Sequence, residues 1–404
     1  MDNRHILISG ASIAGPALAY WLRRYGVHPT VVERAAAPRD GGQAVDLRGA
    51  ARDAAERMGI LDDIRRAHVG THGMTYVDSA NKPLASTSAE LLGDSGGAIA
   101  EVEIMRGDLV RILYEATKRD VEYIFDDSIA GVSQHDDGVT VTFERGAQRS
   151  FDLVVGADGV HSNVRALQFG AESAFVRHLG YYVSSFSTDN HLDLHGWELM
   201  YSEPGKTAGM YPARQNTGTR AVFFFASPPL HYGRHDIAAQ KDILAKEFSS
   251  AGWEVPRLLD SMWRAPDFYF DTVSQVHMPR WSKGRAVLVG DAAYCPSPMA
   301  GVGTSLALVG AYVLAGELAG AGGDHNVAFN RYQDEMRSYV AQGQRLAKGN
   351  AIGLVPRSRT RIWFRNQTIR ALPYLPWKGL IAGGVQKAAN AITLKDYPVH
   401  VSAA

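Results

Sequence analysis

The sequence has little of three features that would assign it to particular protein classes. Its single cysteine, Cys295, excludes an internal disulfide framework and a thiolate zinc cluster, and it is typical of a protein of the reducing cytoplasm. The 42 basic and 42 acidic side chains give a formal net charge of zero, so the chain lacks the basic field expected of a nucleic-acid binder. No uninterrupted run of about 18 apolar residues occurs, so we expect no membrane span.

Two further absences narrow the class of protein. The histidines lack the His-Glu-x-x-His spacing of a helical metal site, so we expect no metal. The early apolar stretch at 6–21 is interrupted by glycine and proline, and its arginines follow rather than precede it, which does not fit a targeting signal. We therefore expect a cytoplasmic protein.

Glycine, in contrast, is over-represented. The chain has 41 glycines in 404 residues, where an average usage of about 7% would give roughly 28. With 46% hydrophobic and 21% charged residues the composition is that of a folded protein, and the length suggests two or three structural units. The surplus therefore has to be explained by the loops of a folded chain.

The N-terminal segment predicts a strand–helix–strand unit with a phosphate-binding turn. An apolar run at 6–8 precedes Gly10-Ala-Ser-Ile-Ala-Gly15, a helical pattern and a second strand that ends in Glu33. Free amides at a helix N-terminus can hold a diphosphate, and an acidic residue about 20 positions further on can accept hydrogen bonds from a ribose. The alternative is a tight strand–helix turn without a ligand. Candidate dinucleotide-binding residues here are Gly10, Ser12, Ile13, Ala14, Gly15, Glu33 and Arg34.

Further strand patterns occur at 139–143, 151–155 and 286–289. The last two run directly into the turns Gly156-Ala-Asp158-Gly159 and Gly290-Asp291-Ala-Ala, and open α/β sheets bind ligands at such carboxyl ends. A short carboxylate there can fix a sugar hydroxyl, or it can simply cap a turn or helix.

Taken in order along the chain, these motifs resemble the FAD-dependent group A aromatic hydroxylases, the family of para-hydroxybenzoate hydroxylase. The resemblance implies that Asp291 binds a ribityl hydroxyl of FAD and that Asp158 and Gly159 lie between the FAD and NAD(P)H sites. It also implies that backbone amides of the segment after Asp291 meet the flavin pyrimidine edge. That segment contributes Pro298, Gly301, Val302, Gly303 and Thr304.

The resemblance assigns three more polar residues. Arg106 matches an arginine that reaches the FAD diphosphate or the flavin region, although a surface helix cap is its alternative. Asp46 follows a glycine-rich loop that supplies an FAD-contacting carboxylate in the tetracycline-inactivating branch, and Arg39 lies near a NAD(P)H-contacting basic residue. Two departures concern the flavin segment: Tyr294 replaces a frequent histidine, and Ser305 and Gly310 replace a frequent asparagine and aspartate.

The resemblance implies an FAD-dependent monooxygenase that uses NADPH or NADH and O2, through a flavin C4a-hydroperoxide, to hydroxylate an aromatic or polycyclic small molecule. The glycine-rich loop before Asp46 and the short chain favour the tetracycline-destructase and polyketide-tailoring branch. Because the cofactor carries the difficult step, no acid/base triad is expected. The alternatives are a flavin-dependent reductase of isoprenoid double bonds and a non-catalytic FAD-binding protein. We expect a monomer or a homodimer.

The predicted fold class is α/β with an α+β insert. A Rossmann-like FAD-binding domain would comprise residues 1–72, 103–178 and 281–349; an inserted antiparallel-sheet substrate domain, residues 73–102 and 179–280; and C-terminal helices, residues 350–404. Aromatic-rich strands of the insert provide pocket candidates, with ordinary sheet core as the alternative. The substrate-pocket candidates are Met210, Tyr211, Phe223, Phe225, Pro298 and Met299.

Overall fold

The computed structural model describes residues 5–39, 41–88, 102–213, 218–374 and 387–397. Its strands are β1 His5–Ser9, β2 His28–Glu33, β3 Ala44–Asp46, β4 Gly73–Val77, β5 Pro83–Ser88, β6 Glu103–Met105, β7 Glu122–Phe125, β8 Ile129–Gln134, β9 Val139–Phe143, β10 Arg149–Phe151, β11 Leu153–Gly156, β12 Val176–Thr188, β13 Trp197–Glu203, β14 Lys206–Ala213, β15 Gly218–Ala226, β16 Tyr269–Val276, β17 Ser282–Lys283 and β18 Ala286–Leu288.

The helices are α1 Ala14–Arg24, α2 Ala50–Arg57, α3 Leu61–Arg66, α4 Arg106–Glu115, α5 Asn163–Phe169, α6 Ile237–Glu247, α7 Val255–Arg264, α8 Asp291–Tyr294, α9 Gly303–Gly320, α10 His325–Leu354 and α11 Arg359–Ala371. Short 3-10 turns occupy Glu172–Ala174, Pro298–Ala300 and Leu372–Tyr374.

A six-stranded sheet in the order β17-β18-β11-β1-β2-β7 forms the centre of the fold. All its neighbouring strands are parallel except β17 and β18. Strands β1 and β11 are buried along nearly their whole length, as expected for parallel strands covered on both faces. The parallel order brings the carboxyl ends of β1, β2, β11 and β18 to one edge. The predicted α/β fold class is confirmed.

A seven-stranded sheet in the order β16-β12-β15-β14-β13-β4-β5 joins strands from both segments of the predicted insert. Its pairs are antiparallel except β4 with β13, which run parallel, so the expected purely antiparallel sheet is corrected at this one pair. One face of the sheet packs on the core that contains β1 and α1, and helices α6 and α7 cover the other. Both faces of this sheet are therefore buried.

Two small sheets and the long helices complete the described chain. Strand β9 belongs to a separate three-stranded antiparallel sheet, β10-β9-β8, and β3 pairs with β6 in a two-stranded ribbon. Helix α10 crosses the predicted boundary at residue 349, and β12 begins before the predicted boundary at 179. In the described chain one helix, Gly303–Gly320, has the length and hydropathy of a membrane span, and 89% of it is buried inside the structure.

Candidate active site

The turn between β1 and α1 is held closely against the neighbouring strands. The Gly10 amide donates to the Val32 carbonyl at 2.8 Å, and a Cβ on Gly10 would lie 2.5 Å from the Ala157 carbonyl oxygen. A Cβ on Gly15 would lie only 1.9 Å from the Gly10 carbonyl oxygen. The N-cap residue of α1 is Ile13, whose side chain cannot accept a hydrogen bond. The first amides of this helix therefore remain available to an anion.

The acidic end of β2 closes one side of this turn. The Glu33 carboxylate accepts hydrogen bonds from the amides of Ala11 at 2.9 Å and Ala35 at 3.0 Å. Arg39 lies 3.5 Å from the same carboxylate, with 56% of its side chain exposed, and Arg34 is exposed beside it. The predicted ribose acceptor and the predicted NAD(P)H candidate are thus neighbours at the outer end of the site.

Arg106 links the β1–α1 turn to the carboxylate after β18. Its Nη2 donates to the Ser12 hydroxyl at 2.9 Å, and its charge acts on the Asp291 carboxylate. Asp291 is exposed at the first position of α8, and a Cβ on Gly303 would lie 3.9 Å from its Oδ1. Three motifs that are far apart in the sequence therefore meet at one edge of the central sheet.

The segment before α9 forms the opposite wall. Pro298 is exposed, Met299 is 6% exposed, and Gly301 adopts the left-handed conformation with φ +65. Val302, Gly303 and Thr304 lead into α9, whose N-terminus also has no side-chain cap. The N-termini of α1 and α9 therefore both present amides without a side-chain cap at this edge, where a bound anion or a negatively charged ring edge can accept from them.

Asp46 adjoins this wall from the β3–β6 ribbon. A Cβ on Gly301 would lie 3.7 Å from its Oδ2, and Arg48 pairs with the same oxygen at 2.9 Å. Burial raises the pKa of Asp46, and the charge and hydrogen bonds of Arg48 oppose that shift. Arg48, which the sequence reasoning did not identify, is 9% exposed and lies two residues after Asp46, but the glycine-rich loop pattern gave no role to it.

Asp158 caps the helix that follows it. Its Oδ2 accepts from the amides of Asn163 at 2.8 Å and Val164 at 3.1 Å, and its Oδ1 accepts from the Ser162 hydroxyl. Burial raises the pKa of Asp158, although these hydrogen bonds favour the charged form. The adjoining Gly159 adopts φ +84 and faces open space. These hydrogen bonds fit the helix-cap alternative, and the position of Asp158 and Gly159 between the FAD and NAD(P)H sites stays a prediction.

A buried arginine connects this motif to the one after β18. Arg165 is fully buried, and it donates through Nη1 to the Ala292 carbonyl at 2.9 Å and through Nη2 to the Val160 carbonyl. Burial lowers its pKa, and Glu172, 3.7 Å away, opposes that shift. The sequence contained this residue at the end of the Asp158-Gly159 motif, but nothing in the pattern indicated that its side chain points inward.

His161 lies between two carboxylates at the same end of the sheet. Its Nδ1 is 3.0 Å from Glu172 and its Nε2 is 3.1 Å from Asp271, whose other oxygen accepts from the Tyr269 hydroxyl. Burial lowers the pKa of His161, but the hydrogen bonds and charges of Asp271 and Glu172 outweigh it and raise the pKa to about 8.

The raised pKa of His161 predicts a pH-dependent stability. In the unfolded chain a histidine titrates near 6.5, so the stabilisation is fully present below that pH and is lost as the pH rises through about 8. We expect the free energy of unfolding of wild type, relative to His161→Gln, to fall by about 2 kcal/mol between pH 6 and 9. Urea unfolding of both proteins at the two pH values measures this difference, and parallel pH profiles would contradict it.

Three of the strand residues expected to line a substrate pocket lie on the wrong face for it. Met210, Phe223 and Phe225 are fully buried in a cluster with Phe248 of the α6–α7 region. Side chains alternate along a strand, so their neighbour Tyr211 faces the other side, toward β1 and α1. The sheet-core alternative is correct for these three residues, and only Tyr211 faces the candidate active site.

The two departures from the family pattern explain one another. A Cβ at Gly310 would lie 2.0 Å from the Tyr294 hydroxyl, so the glycine makes room for the tyrosine that replaces histidine. Tyr332 donates to that hydroxyl at 2.9 Å. The Ser305 hydroxyl accepts from the Arg48 amide at 3.3 Å and so ties the loop after β3 to α9. The substitutions therefore change the packing behind the site rather than its open side.

The donor set fits FAD. Uncapped helix N-termini and Arg106 suit a diphosphate, while Asp291 and Glu33 are carboxylates placed to accept from sugar hydroxyls. The cradle around Gly10 and Gly15 has no space for a side chain, and the amides of α9 suit a ring edge that gains negative charge. What the arrangement supplies is binding and orientation rather than a nucleophile.

Comparisons with known proteins agree with this geometry. A family model described as FAD binding domain matches residues 3–345. A flavin-dependent monooxygenase from an unknown prokaryotic organism is 42% identical over 395 residues, which cover 98% of this chain and 99% of that one. The crystal structure of tetracycline destructase Tet(55) is 40% identical with a TM-score of 0.84 and covers 98% of this chain and 99% of its own.

The crystal structure of tetracycline destructase Tet(51) has a TM-score of 0.85 at 35% identity and covers 98% of this chain and 100% of its own. These similarities extend over both large sheets and not only over the β1–α1 turn. They confirm the predicted resemblance, fold class and enzyme class. The chain belongs to the FAD binding domain family and is an FAD-dependent monooxygenase of the group A aromatic hydroxylase type.

Proposed function

We propose that this monooxygenase uses NAD(P)H and O2 to hydroxylate a tetracycline-like or other polycyclic aromatic molecule. The observation that carries the proposal is the meeting of Ser12, Arg106, Asp291 and the uncapped start of α9 at one edge of the central sheet. The tetracycline destructases with which the chain shares 35–40% identity support the substrate class.

Each polar group at this edge has a proposed binding role. Ser12, Arg106 and the first amides of α1 hold the diphosphate, and Glu33 and Asp291 accept from ribose and ribityl hydroxyls. The amides from Gly301 to Thr304 contact the flavin pyrimidine edge. FAD, when bound, supplies the oxygen-activating chemistry, so the protein needs only to orient the reactants and exclude water.

The nicotinamide and substrate roles fall on other residues. Arg39 is proposed to contact NAD(P)H because it is an exposed cation that pairs with Glu33. Gly159 has no atom within 4 Å of its Cβ position, so its backbone is open to a ligand. Tyr211, Pro298 and Met299 are proposed to contact the substrate. No second glycine-rich nucleotide fold is predicted from the sequence, which favours transient nicotinamide binding.

The test is oxidation of NADPH by the purified, FAD-loaded enzyme with and without a tetracycline. We expect the tetracycline to stimulate NADPH oxidation and to gain one oxygen, as read by product mass after correction for uncoupled peroxide formation. Asp291→Ala is expected to purify with little flavin, whereas Glu144→Gln, an exposed substitution in the β9–β10 hairpin, should behave as wild type.

Three other outcomes would contradict parts of the proposal. Turnover that persists without oxygen would indicate a flavin-dependent reductase. Bound FAD that NADPH does not reduce would indicate a non-catalytic flavoprotein. Reduction of FAD without any product from tetracyclines would remove the proposed substrate class while leaving the cofactor assignments in place.

A further inference from the structure

Three neighbouring strands of the seven-stranded sheet carry polar residues in one row on the face toward the active site. Tyr211 of β14 is paired with Arg220 of β15, and the pairing of Leu199 with Met210 places Glu198 of β13 opposite Tyr211. Neighbouring strands are about 4.8 Å apart, so the backbones of Glu198 and Arg220 are separated by about 10 Å. The row therefore has a carboxyl group at one end, a guanidinium group at the other and a tyrosine between them.

Two more carboxylates face this row from the β3–β6 ribbon. Asp46 and Glu103 are directly paired in the ribbon, and their charges act on Glu198. Asp46 also lies next to Gly301, so the group adjoins the flavin wall described above. Arg48 is the cation that pairs with Asp46. Three acidic side chains therefore lie together, and Arg48 forms its ion pair with one of them, Asp46.

The side chains of Glu198 and Glu103 lack partners that their burial would require. Glu198 is 8% exposed and makes no hydrogen bond within the described chain, and one oxygen of Glu103 is buried there without a partner. Burial raises the pKa of Glu198 well above its usual value and that of Glu103 to about 7. Buried polar atoms are almost always paired. The Thr71 hydroxyl next to Glu103 is also buried without a partner and can donate to that carboxyl group, so Glu198 is the group of this pair for which the described chain supplies no donor.

At the other end of the row, a hydrogen-bond donor lacks a partner. Arg220 is 3% exposed; its Nε donates to Ser185 at 3.2 Å and its Nη1 to Asp267 at 2.6 Å, but its Nη2 is buried without a partner in the described chain. Tyr211 lies between the two ends, and both the Arg220 and the Glu198 charges act on it. One free donor and several free acceptors therefore share one face of the sheet.

A metal ion does not account for the carboxylates, because no group of His, Cys, Asp or Glu side chains in the described ranges is arranged to hold one. An ammonium group does account for them, since its N–H bonds would satisfy the unpaired oxygens and its charge would offset the excess of carboxylates. We propose that Glu198, flanked by Glu103 and Asp46, binds a protonated amine of the substrate while Arg220 Nη2 donates to an oxygen elsewhere on the same molecule.

This inference rests on the proposed function, because it names the substrate chemistry of the same site. It selects polycyclic substrates that carry a basic amine together with acidic oxygens. The amine is a specificity determinant rather than part of the reaction, so its removal affects binding and KM more than kcat. Glu198 is accordingly a substrate-binding residue. Burial favours its protonated form in the empty site, and a bound ammonium group would favour its charged form.

The experiment compares tetracycline with its 4-de(dimethylamino) derivative, which differs by the amine alone. Binding to the FAD-loaded enzyme is measured from the change in the flavin absorption spectrum without NADPH. In wild type we expect the derivative to bind at least about tenfold more weakly, the loss of one charge-assisted interaction. In Glu198→Gln the two compounds should bind within about twofold of each other. Equal binding by wild type, or a preference that survives in Glu198→Gln, overturns the proposal.

Two further variants separate the roles of the residues. Arg220→Lys should weaken both compounds by a similar factor, since both keep the oxygens that Arg220 would contact. Glu144→Gln, the exposed control, should keep the wild-type preference. If Glu198→Gln does not retain FAD, the comparison on wild type still tests recognition of the amine, and Glu103→Gln tests whether this group of carboxyl side chains supplies it. A wild-type preference that is unchanged in Glu103→Gln would then overturn the assignment.

A second probe applies if neither tetracycline perturbs the flavin. Benzyltrimethylammonium, a cation without any tetracycline chemistry, should then raise the Tm of wild type in a concentration-dependent manner, whereas neutral benzyl alcohol should not. A cation-specific shift that Glu198→Gln abolishes would support the amine site and reject the tetracycline-like substrate. No cation-specific shift would overturn the amine site itself.

Discussion

Gly15→Ala is expected to yield a protein that purifies without flavin. A Cβ at this position would lie 1.9 Å from the Gly10 carbonyl oxygen, a distance that real Cβ contacts do not reach. Gly10 cannot move aside, because its amide is bound to Val32 and its α-carbon is held against Ala157. The first turn of α1 must therefore move away, and it takes with it the amides proposed to hold the diphosphate.

The measurement is the ratio of flavin to protein absorbance after purification, followed by titration of the apoprotein with FAD. Displacement of a binding backbone by about 1 Å is enough to cost about 100-fold in function, so we expect the affinity for FAD to fall by at least that factor. Gly349→Ala is the matched control: Gly349 lies in the exposed part of α10 with nothing near its Cβ position. It should bind FAD normally and gain up to about 1 kcal/mol in stability.

Gly15→Ala with wild-type flavin content would contradict the close packing at the β1–α1 turn. A variant that fails to fold would be recognised from its far-UV circular dichroism and from a loss of cooperative unfolding. In that case Gly15→Ser would not help, since it carries the same Cβ, and the FAD affinity of Ser12→Ala would test the turn independently through the hydroxyl that accepts from Arg106.

The β1–α1–β2 unit could be predicted from the sequence because its signals are local. The apolar run before Gly10, the helical pattern after Gly15 and the acidic end of the next strand each depend on neighbouring residues alone. The structure reproduces this order, and the pairing of β1 with β2 and β11 follows from it. The proposed role of Asp291, in contrast, is implied by the family resemblance and stays a prediction.

The face of the large sheet that meets the active site could not be predicted. Phe223 and Phe225 alternate correctly along β15, but both faces of the sheet are buried, so alternation alone does not distinguish the side toward the central sheet from the side toward α6 and α7. The same ambiguity concealed Glu198 and Arg220. Their importance depends on which strands are neighbours, and β13 is paired with β4, more than a hundred residues earlier.

Buried polar residues that hold neighbouring turns in place could not be recognised from the sequence either, for a different reason. Arginine is exposed in most proteins, so a buried one is recognised only from its partners, and the partners of Arg165 are two backbone carbonyls that carry no sequence signal. The coupling of Tyr294 with Gly310 is similar. In the sequence, each of these residues is only a departure from the family pattern. In the structure a Cβ at position 310 would lie 2.0 Å from the Tyr294 hydroxyl oxygen, so Tyr294 requires the glycine.

Arg165→Leu is expected to lower the stability of the protein strongly. The side chain is fully buried and donates to the carbonyls of Val160 and Ala292, so leucine would leave these two acceptors without that donor. Glu172 would lose the neighbouring charge of Arg165 but keep His161 and Arg234 as partners. We expect a loss of about 3 kcal/mol in the free energy of unfolding, from roughly 1–3 kcal/mol for each orphaned group.

The same substitution should weaken FAD binding, because Val160 follows the Asp158-Gly159 turn and Ala292 follows Asp291. Arg165 fixes these two turns against each other, and Arg165→Lys, with one donor group in place of the fork, should lie between wild type and leucine for both readouts. Urea unfolding and FAD titration measure the two effects. Arg111→Ala is the control, since its ion pair with Asp108 is exposed at the arginine and contributes less than about 1 kcal/mol. An Arg165→Leu variant as stable as Arg111→Ala would show that the buried guanidinium does not hold the two turns together.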